Sequence, residues 1–367
     1  MLKSVRFWIG LGISALFLLL FFYRTDFTEM GRALKGANYV FLFPAIIVYF
    51  VGVWFRAWRW HYLLRPLGKV ATHRLFSLVV IGFTVNDILP GRLGIFAQSY
   101  ILGEKEGMSK TAVFATVAVE RIFDGLALLL YLIAISLFVP LADLLRDLAG
   151  PVGIPWAVLV LALAALFIIP FAALLFIASY EDFVQRLANF FLNFLPIRWA
   201  SRLKELVALF LTGLRGLRSP WVLLAVFLTS MLVWLCEAGM FYLLAFAFDL
   251  GQPFYVLLLA TSTANLAIAL PSSQGGIGLF EFFCQRTLIF FGVQEALATA
   301  YVIALHAALL LPVIVIGFGF LWLENLSLAE VVRQRGREDI DGHPDSSESL
   351  RSPDIGAIEA SSEEGKD

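Results

Sequence analysis

Six apolar runs, each long enough to cross a bilayer, limit what this chain can become: 5–23, 38–60, 111–139, 153–178, 221–247 and 296–323. A helix of about 17–25 apolar residues spans the hydrocarbon core of a membrane. A chain with this many such runs cannot hide them from water by folding alone. Hydrophobic residues are 60% of the 367 and charged residues 15%, with a mean hydropathy of +0.86. Soluble domains average roughly 45–50% apolar and about 25% charged. The expected fold class is therefore all-α, a polytopic integral membrane helical protein. Lys3 and Arg6 flank the first run like a signal peptide, but "YRTDF" follows it instead of a small-residue cleavage site, so it reads as an uncleaved span. Cys236 and Cys284 sit in apolar runs and read as buried hydrophobes, with no disulfide framework implied. A net charge of −1 points to no nucleic-acid partner.

Two further apolar stretches are broken. "PGRLG" interrupts 75–102, and "PSSQGGIG" interrupts 255–291. Proline removes an N–H and clashes with the preceding helical turn, and glycine permits turns that other residues resist. Each stretch therefore reads as two half-length helices around a sharp reversal. Such backbone persists at membrane depth only when protein or a water-filled cavity surrounds it. Each half of the chain then runs span, broken hairpin, span. Asn86, Pro90 and Gly94 in the first break match Asn265, Pro271 and Gly275 in the second. The expectation is about six full spans plus two broken re-entrant hairpins related as an inverted repeat, with a site where the breaks meet.

Lys and Arg concentrate at the N-terminus, in 61–74, in 181–219 and at Arg333, Arg335 and Arg337. This puts both termini in the cytoplasm if each broken stretch enters and leaves on one side. The 181–219 segment mixes basic and apolar residues and reads as an amphipathic linker at the interface. The expected organisation is a transmembrane domain over 1–337 (first half to about 178, second half about 221–325) and a disordered acidic tail over 338–367.

Ionisable side chains inside apolar helices mark sites by their cost. "VAVERIFDGLALLL" places Glu120 and Asp124 four apart on one helix face, with Arg121 in reach of Asp124. Arg92, at the first break, is the expected partner of these carboxylates, or of a lipid phosphate. A structural ion-pair network pinning the hairpin is the alternative. Glu237 lies deep in a span. Arg56 and Arg59, in "WFRAWRWHYLL", fall near the corresponding place in the other half, but read first as a cytoplasmic anchor within an aromatic belt of Trp54, Trp58 and Trp60. Glu281 opens the half-helix after the second break and fits a cap. His306 is either a satisfied interior histidine or a group that titrates near neutrality. Gly91, Gly276 and Gly278 complete the candidate cleft. No nucleotide loop, zinc motif or nucleophile elbow occurs, so no catalytic residue, metal or cofactor is expected.

"NDILPGRLGIFAQSYILGEKEGMSKTAVFATVAVERIFD" and "LPSSQGGIGLFEFF" resemble the lysylphosphatidylglycerol synthase transmembrane family, also called flippase-like or UPF0104-type, over residues from about 5 to 325. The resemblance implies a helical inner-membrane domain of a prokaryote that moves polar or polyprenyl-linked lipids across the bilayer. Family members often carry Glu and Arg where this chain has Ile95 and Gln98, and many carry Arg where it has His306. The chain shows nothing like the family's cytosolic transferase domain, so aminoacyl transfer is not expected. The leading expectation is a lipid flippase of the plasma membrane, with membrane lipids as partners and a lipid-biosynthesis enzyme as a further partner. The alternatives are a polyprenyl-dependent glycosyl- or phospho-transferase with Glu120 or Asp124 as base, and a non-transporting scaffold.

Overall fold

The computed structural model describes residues 5–89, 93–139, 141–150, 155–194, 197–269 and 274–324. Pro90, Gly91, Arg92, Pro271 and the tail over 338–367 lie outside the described residues. Among the described residues the fold is all helical. α1 (Val5–Phe22) is followed by α2 (Phe27–Gly36), turned 85° from it and capped by Asp26, whose carboxylate accepts from the backbone N–H groups of Thr28 and Glu29. Then come α3 (Leu42–Leu64), the first broken pair α4 (Thr72–Ile88) and α5 (Gly94–Glu106), and α6 (Lys110–Ser136). Short α7 (Leu141–Ala149) and long α8 (Trp156–Ser179) lead to α9 (Glu181–Leu192) and α10 (Ile197–Leu214), which form the amphipathic segment. α11 (Pro220–Ala247), the second broken pair α12 (Phe254–Ile268) and α13 (Leu279–Phe290), and α14 (Glu295–Leu323) close the chain.

Among the described residues four stretches are long and apolar enough to cross a membrane: Tyr39–Leu64, Val160–Ser179, Pro220–Ala247 and Glu295–Leu323. The bent α1–α2 pair makes a fifth. The remaining expected span, α6, has 27 residues, about 40 Å at 1.5 Å per residue. It has the length, but Glu120, Arg121 and Asp124 interrupt its apolarity. The chain is a multi-pass membrane protein. Helices α2 and α7 occupy stretches that read from sequence as plain connections; both have strongly segregated apolar and polar faces.

The two halves are related by packing. α3 and α11 lie antiparallel along their whole length: Asn38 N donates to the Ala247 carbonyl, Val48 meets Gly239, Gly52 meets Cys236, and Arg59 meets Ser230. Small residues allow that approach, as is usual between membrane helices. A β-carbon on Gly52 would sit 3.0 Å from that of Cys236. Exchanging α3 with α11, α4 with α12, α5 with α13 and α6 with α14 reproduces the main contacts. α4 packs on α14, and α12 on α6; α2 packs on α14, and α10 on α6. Because α3 and α11 run in opposite directions, the repeat is inverted. The broken helices hold 17, 13, 15 and 12 residues. At 1.5 Å per residue these reach about 18–26 Å, short of the ~30 Å hydrocarbon core. Each pair turns back inside the bundle.

The first hairpin is held by close approach at Gly94. Its N–H donates to the Asn86 side chain at 2.7 Å, and a β-carbon there would fall 2.0 Å from the Gly82 carbonyl oxygen. Backbone cannot yield as a side-chain tip can. We expect Gly94→Ala to lower stability by about 1–3 kcal/mol through overpacking, read as a lower unfolding midpoint in detergent. Gly31→Ala in α2 is the comparison, since a β-carbon there meets nothing within 4 Å and the backbone is helical.

Candidate functional site

Arg56 and Arg59 lie eight and five residues before the end of α3, and both side chains turn inward. Arg59 is 1% exposed. Its Nε donates to Glu120 Oε1 at 3.1 Å and its Nη1 to Asp124 Oδ1 at 2.6 Å and Ser230 Oγ at 2.7 Å. Arg56 Nη1 donates to Asp124 Oδ2 at 3.1 Å, and Nη2 to Glu237 Oε2 at 3.2 Å. The network thus joins α3 to α6 and α11. Glu120 and Asp124 serve one guanidinium because four-residue spacing stacks them on one helix face. Arg121 is 3.7 Å from Asp124 with a side chain 36% exposed, and so is less engaged than the other two arginines.

This overturns the reading of Arg56 and Arg59 as a cytoplasmic anchor. Both guanidiniums are buried between carboxylates, and the helix continues past both residues to Leu64. Trp60, expected in the aromatic belt, is fully buried with its Nε1 donating to Thr116 Oγ1 at 3.0 Å; Trp54 and Trp58 stay exposed. Arg92, the expected partner of Glu120 and Asp124, lies outside the described residues; among those described, Arg56 and Arg59 hold these carboxylates.

Beside the network the first hairpin meets the second break. The end of α4 packs against the turn Gln274–Gly276 of the second break. Between them is a cavity of about 170 Å³. Its charged and polar wall comes from Arg56, Asp87, Arg121, Glu237, Asn265 and His306. Aromatic rings form a floor: the Arg56 guanidinium lies 4.8 Å from the Trp234 ring centroid, and Phe83 sits between Arg56 and Arg121 at 5.5 and 5.7 Å. Asn265 Nδ2 donates to Glu237 Oε1 at 2.8 Å, tying the second hairpin to the network. Gly275, at φ +63°, also lines the cavity.

The sequence candidates divide accordingly. Arg121, Glu237, Asn265, Gly275 and His306 line the cavity. Glu120 and Asp124 stand behind it in the network. Glu281 lies behind His306, caps α13 by accepting from Gly278 N at 2.7 Å, and contacts His306 Nδ1 at 2.7 Å. Asn86 and Gly94 close the first hairpin away from the cavity, and Gly276 and Gly278 shape the second break at φ +74° and +94°. Sequence reasoning missed Asp87 and the aromatic floor. Asp87 was visible as a carboxylate within the break motif; only the meeting of the first hairpin with the second break gives it a role.

Removing one partner of a buried ion pair costs about 3–5 kcal/mol. We expect Arg59→Met to destabilise the protein by that amount in detergent unfolding. Adding Glu120→Gln should return part of it, with a coupling of about 0.5–3 kcal/mol in the double-mutant cycle. Strictly additive losses would contradict the pairing.

A family model, the lysylphosphatidylglycerol synthase TM region, matches residues 7–317. The chain is 26% identical to "Glycosyltransferase AglD" of Haloferax volcanii over 89% of its own length and 55% of that protein's, so it spans about half the length of that relative. It is 23% identical to a UPF0104 membrane protein of Methanothermobacter thermautotrophicus, covering 74% of this chain and 82% of the relative. A third, of Pyrococcus horikoshii, is 25% identical over 79% and 88%. No solved structure matches the chain. With charged cavity, paired breaks and matched sequence in agreement, the chain belongs to the lysylphosphatidylglycerol synthase transmembrane region family.

Proposed function

We propose that this protein moves a lipid with a phosphate-bearing headgroup across a prokaryotic plasma membrane, with both termini in the cytoplasm. The observation that carries this reading is the cavity at the meeting point of two half-length hairpins of opposite direction. Two such hairpins, meeting at mid-depth, give a polar path to a headgroup while acyl chains stay in lipid. A cavity of about 170 Å³ suits a headgroup and not a whole lipid. Arg121, the least engaged guanidinium of the wall, supplies a fork for phosphate oxygens. Asp87, opposite in charge, favours a headgroup that also carries a donor, such as a sugar hydroxyl or an amine.

The likeness to AglD favours a second reading, transfer of a sugar from a polyprenyl carrier. Glu120 and Asp124 are poor bases for it, since both are occupied by arginine and neither lines the cavity. Asp87 is the carboxylate that would serve.

The experiment is lipid translocation in vesicles containing the purified protein. Labelled phosphatidylglycerol and a short polyprenyl-phosphate sugar are supplied in parallel. We expect movement of at least one of the two, reduced at least tenfold by Arg121→Gln and by Gly275→Val, and unchanged by Arg74→Gln at the exposed hairpin base. Movement of neither, with sugar transfer on adding a glycosyl donor, would replace the flippase reading by the transferase one.

A further inference from the structure

His306 stands in α14, facing the second break. Both of its ring nitrogens meet acceptors. Nδ1 lies 2.7 Å from Glu281 Oε1, and Nε2 lies 3.1 Å from the Gly275 carbonyl oxygen. The other oxygen of Glu281 already accepts from Gly278 N. A carbonyl oxygen can only accept, and a neutral imidazole has one N–H to give. Both hydrogen bonds therefore form together in only two ways. Either His306 is an imidazolium and Glu281 a carboxylate, or His306 is neutral with its proton on Nε2 and Glu281 carries a proton that it donates to Nδ1. In both, the pair holds one proton more than a neutral histidine beside a carboxylate, and its net charge is zero. With two groups this close the proton belongs to the pair, not to either residue.

We propose that the His306–Glu281 pair is a binding site for a single proton from the aqueous phase, and that this proton latches the turn Gln274–Gly276 to α14. When it is bound, Nε2–H holds the Gly275 carbonyl. When it leaves, the pair carries charge −1, the one remaining N–H goes to the carboxylate, and the Nε2 lone pair faces the Gly275 oxygen. Two lone pairs at 3.1 Å repel, and the turn Gln274–Gly276 is freed from α14. Gly275 lines the cavity, so the proton's departure loosens a cavity wall. Gly275 at φ +63° and Gly276 at +74° hold left-handed backbone that glycine adopts readily.

The groups around the pair suit proton exchange. Tyr49 and Arg56 of α3, Asp87 of α4, Arg121 of α6 and Glu237 of α11 share the cavity with His306. Of these, Arg56 and Glu237 neutralise each other and are tied to Asp124. Asp87 is the carboxylate of the cavity wall outside the ion-pair network, and it offers a relay between the cavity and the imidazole. Phe280, which also lines the cavity, lies tilted against the His306 ring at 4.3 Å between centroids, and Cys284 and Tyr301 are fully buried. The inference rests on hydrogen bonding at the break and stands whether or not the protein moves lipid.

The test reads the break itself. A nitroxide is attached at Ile277→Cys, an exposed position next to the latch, in a chain with Cys236→Ala and Cys284→Ala. Line shape is followed from about pH 5 to 9, the range over which histidines ordinarily ionise and somewhat beyond. The wild-type latch should give an immobilised spectrum at low pH and a mobile one at high pH. His306→Arg donates to both acceptors at every pH. Glu281→Gln donates to Nδ1 through its amide and accepts from Gly278 N, leaving Nε2–H on Gly275. Both variants should stay immobilised throughout. A wild-type spectrum that does not change with pH would overturn the proposal, and so would a pH response that survives in both variants. Since each variant keeps the turn latched to α14, a mobile spectrum at every pH in both would equally refute the bonding scheme.

Discussion

Two arginines of α3 are buried between carboxylates of α6 and α11, and the rest of the structure depends on that contact. Three arginines and three carboxylates take part: Arg56, Arg59 and Arg121 with Glu120, Asp124 and Glu237. Each would cost about 2.5–3.5 kcal/mol to place at the centre of a membrane helix alone. Together they are charge-balanced and hydrogen-bonded, so the cost becomes a constraint on geometry. Asp124 bridges both α3 arginines, which sets the register of α3 against α6. Glu237 and Ser230 set it against α11. Apolar packing between membrane helices gains little from solvent exclusion, so register must come from close contact and polar bonds. The network acts with the small residues of the α3–α11 seam to select one arrangement.

That seam lets the hairpins stop half-way. Irregular backbone at the two breaks needs protein around it, and the inverted repeat brings each break to the other. Asn265 shows how the pieces connect. It sits on the second hairpin yet bonds Glu237 of the network, so movement of that hairpin is felt by α11 and through Arg56 by α3. Its counterpart Asn86 instead closes its own hairpin onto Gly94. Among the described residues the repeat is symmetric in packing, while Asn86 bonds its own turn and Asn265 bonds the network.

Much of the fold was legible because lipid imposes a simple code. Apolar run length gave the spans, and Pro and Gly gave the breaks. The pairing of Glu120 with Asp124 followed from helical spacing. What could not be read was contact across long sequence separation. Arg56 meets Glu237 across 181 residues, and Arg59 meets Asp124 across 65. Locally, arginines between tryptophans near the end of an apolar run have the pattern of an interfacial anchor, and local pattern is all that a single sequence offers. Asp87 escaped for the same reason: one carboxylate beside a turn gains meaning only from the opposite break. Helices α2 and α7 were hidden because their charges made them look like loops, although the spacing of those charges leaves one face apolar.

With the two halves inverted about the α3–α11 seam, the hairpins run in opposite directions and enter from opposite faces. The base of the first hairpin lies by Arg74 and Glu106, beyond the end of α3. The base of the second lies by Phe291 and Gln252, beyond the end of α11. Single cysteines at Glu104→Cys and Gln294→Cys, both exposed sites, report these two bases. Membrane-impermeant maleimide applied to vesicles of each orientation, with Cys236 and Cys284 replaced by alanine, should modify position 104 from the cytoplasmic face and position 294 from the opposite one. Modification of both from one face would contradict the inverted repeat and remove the basis for a shared cavity.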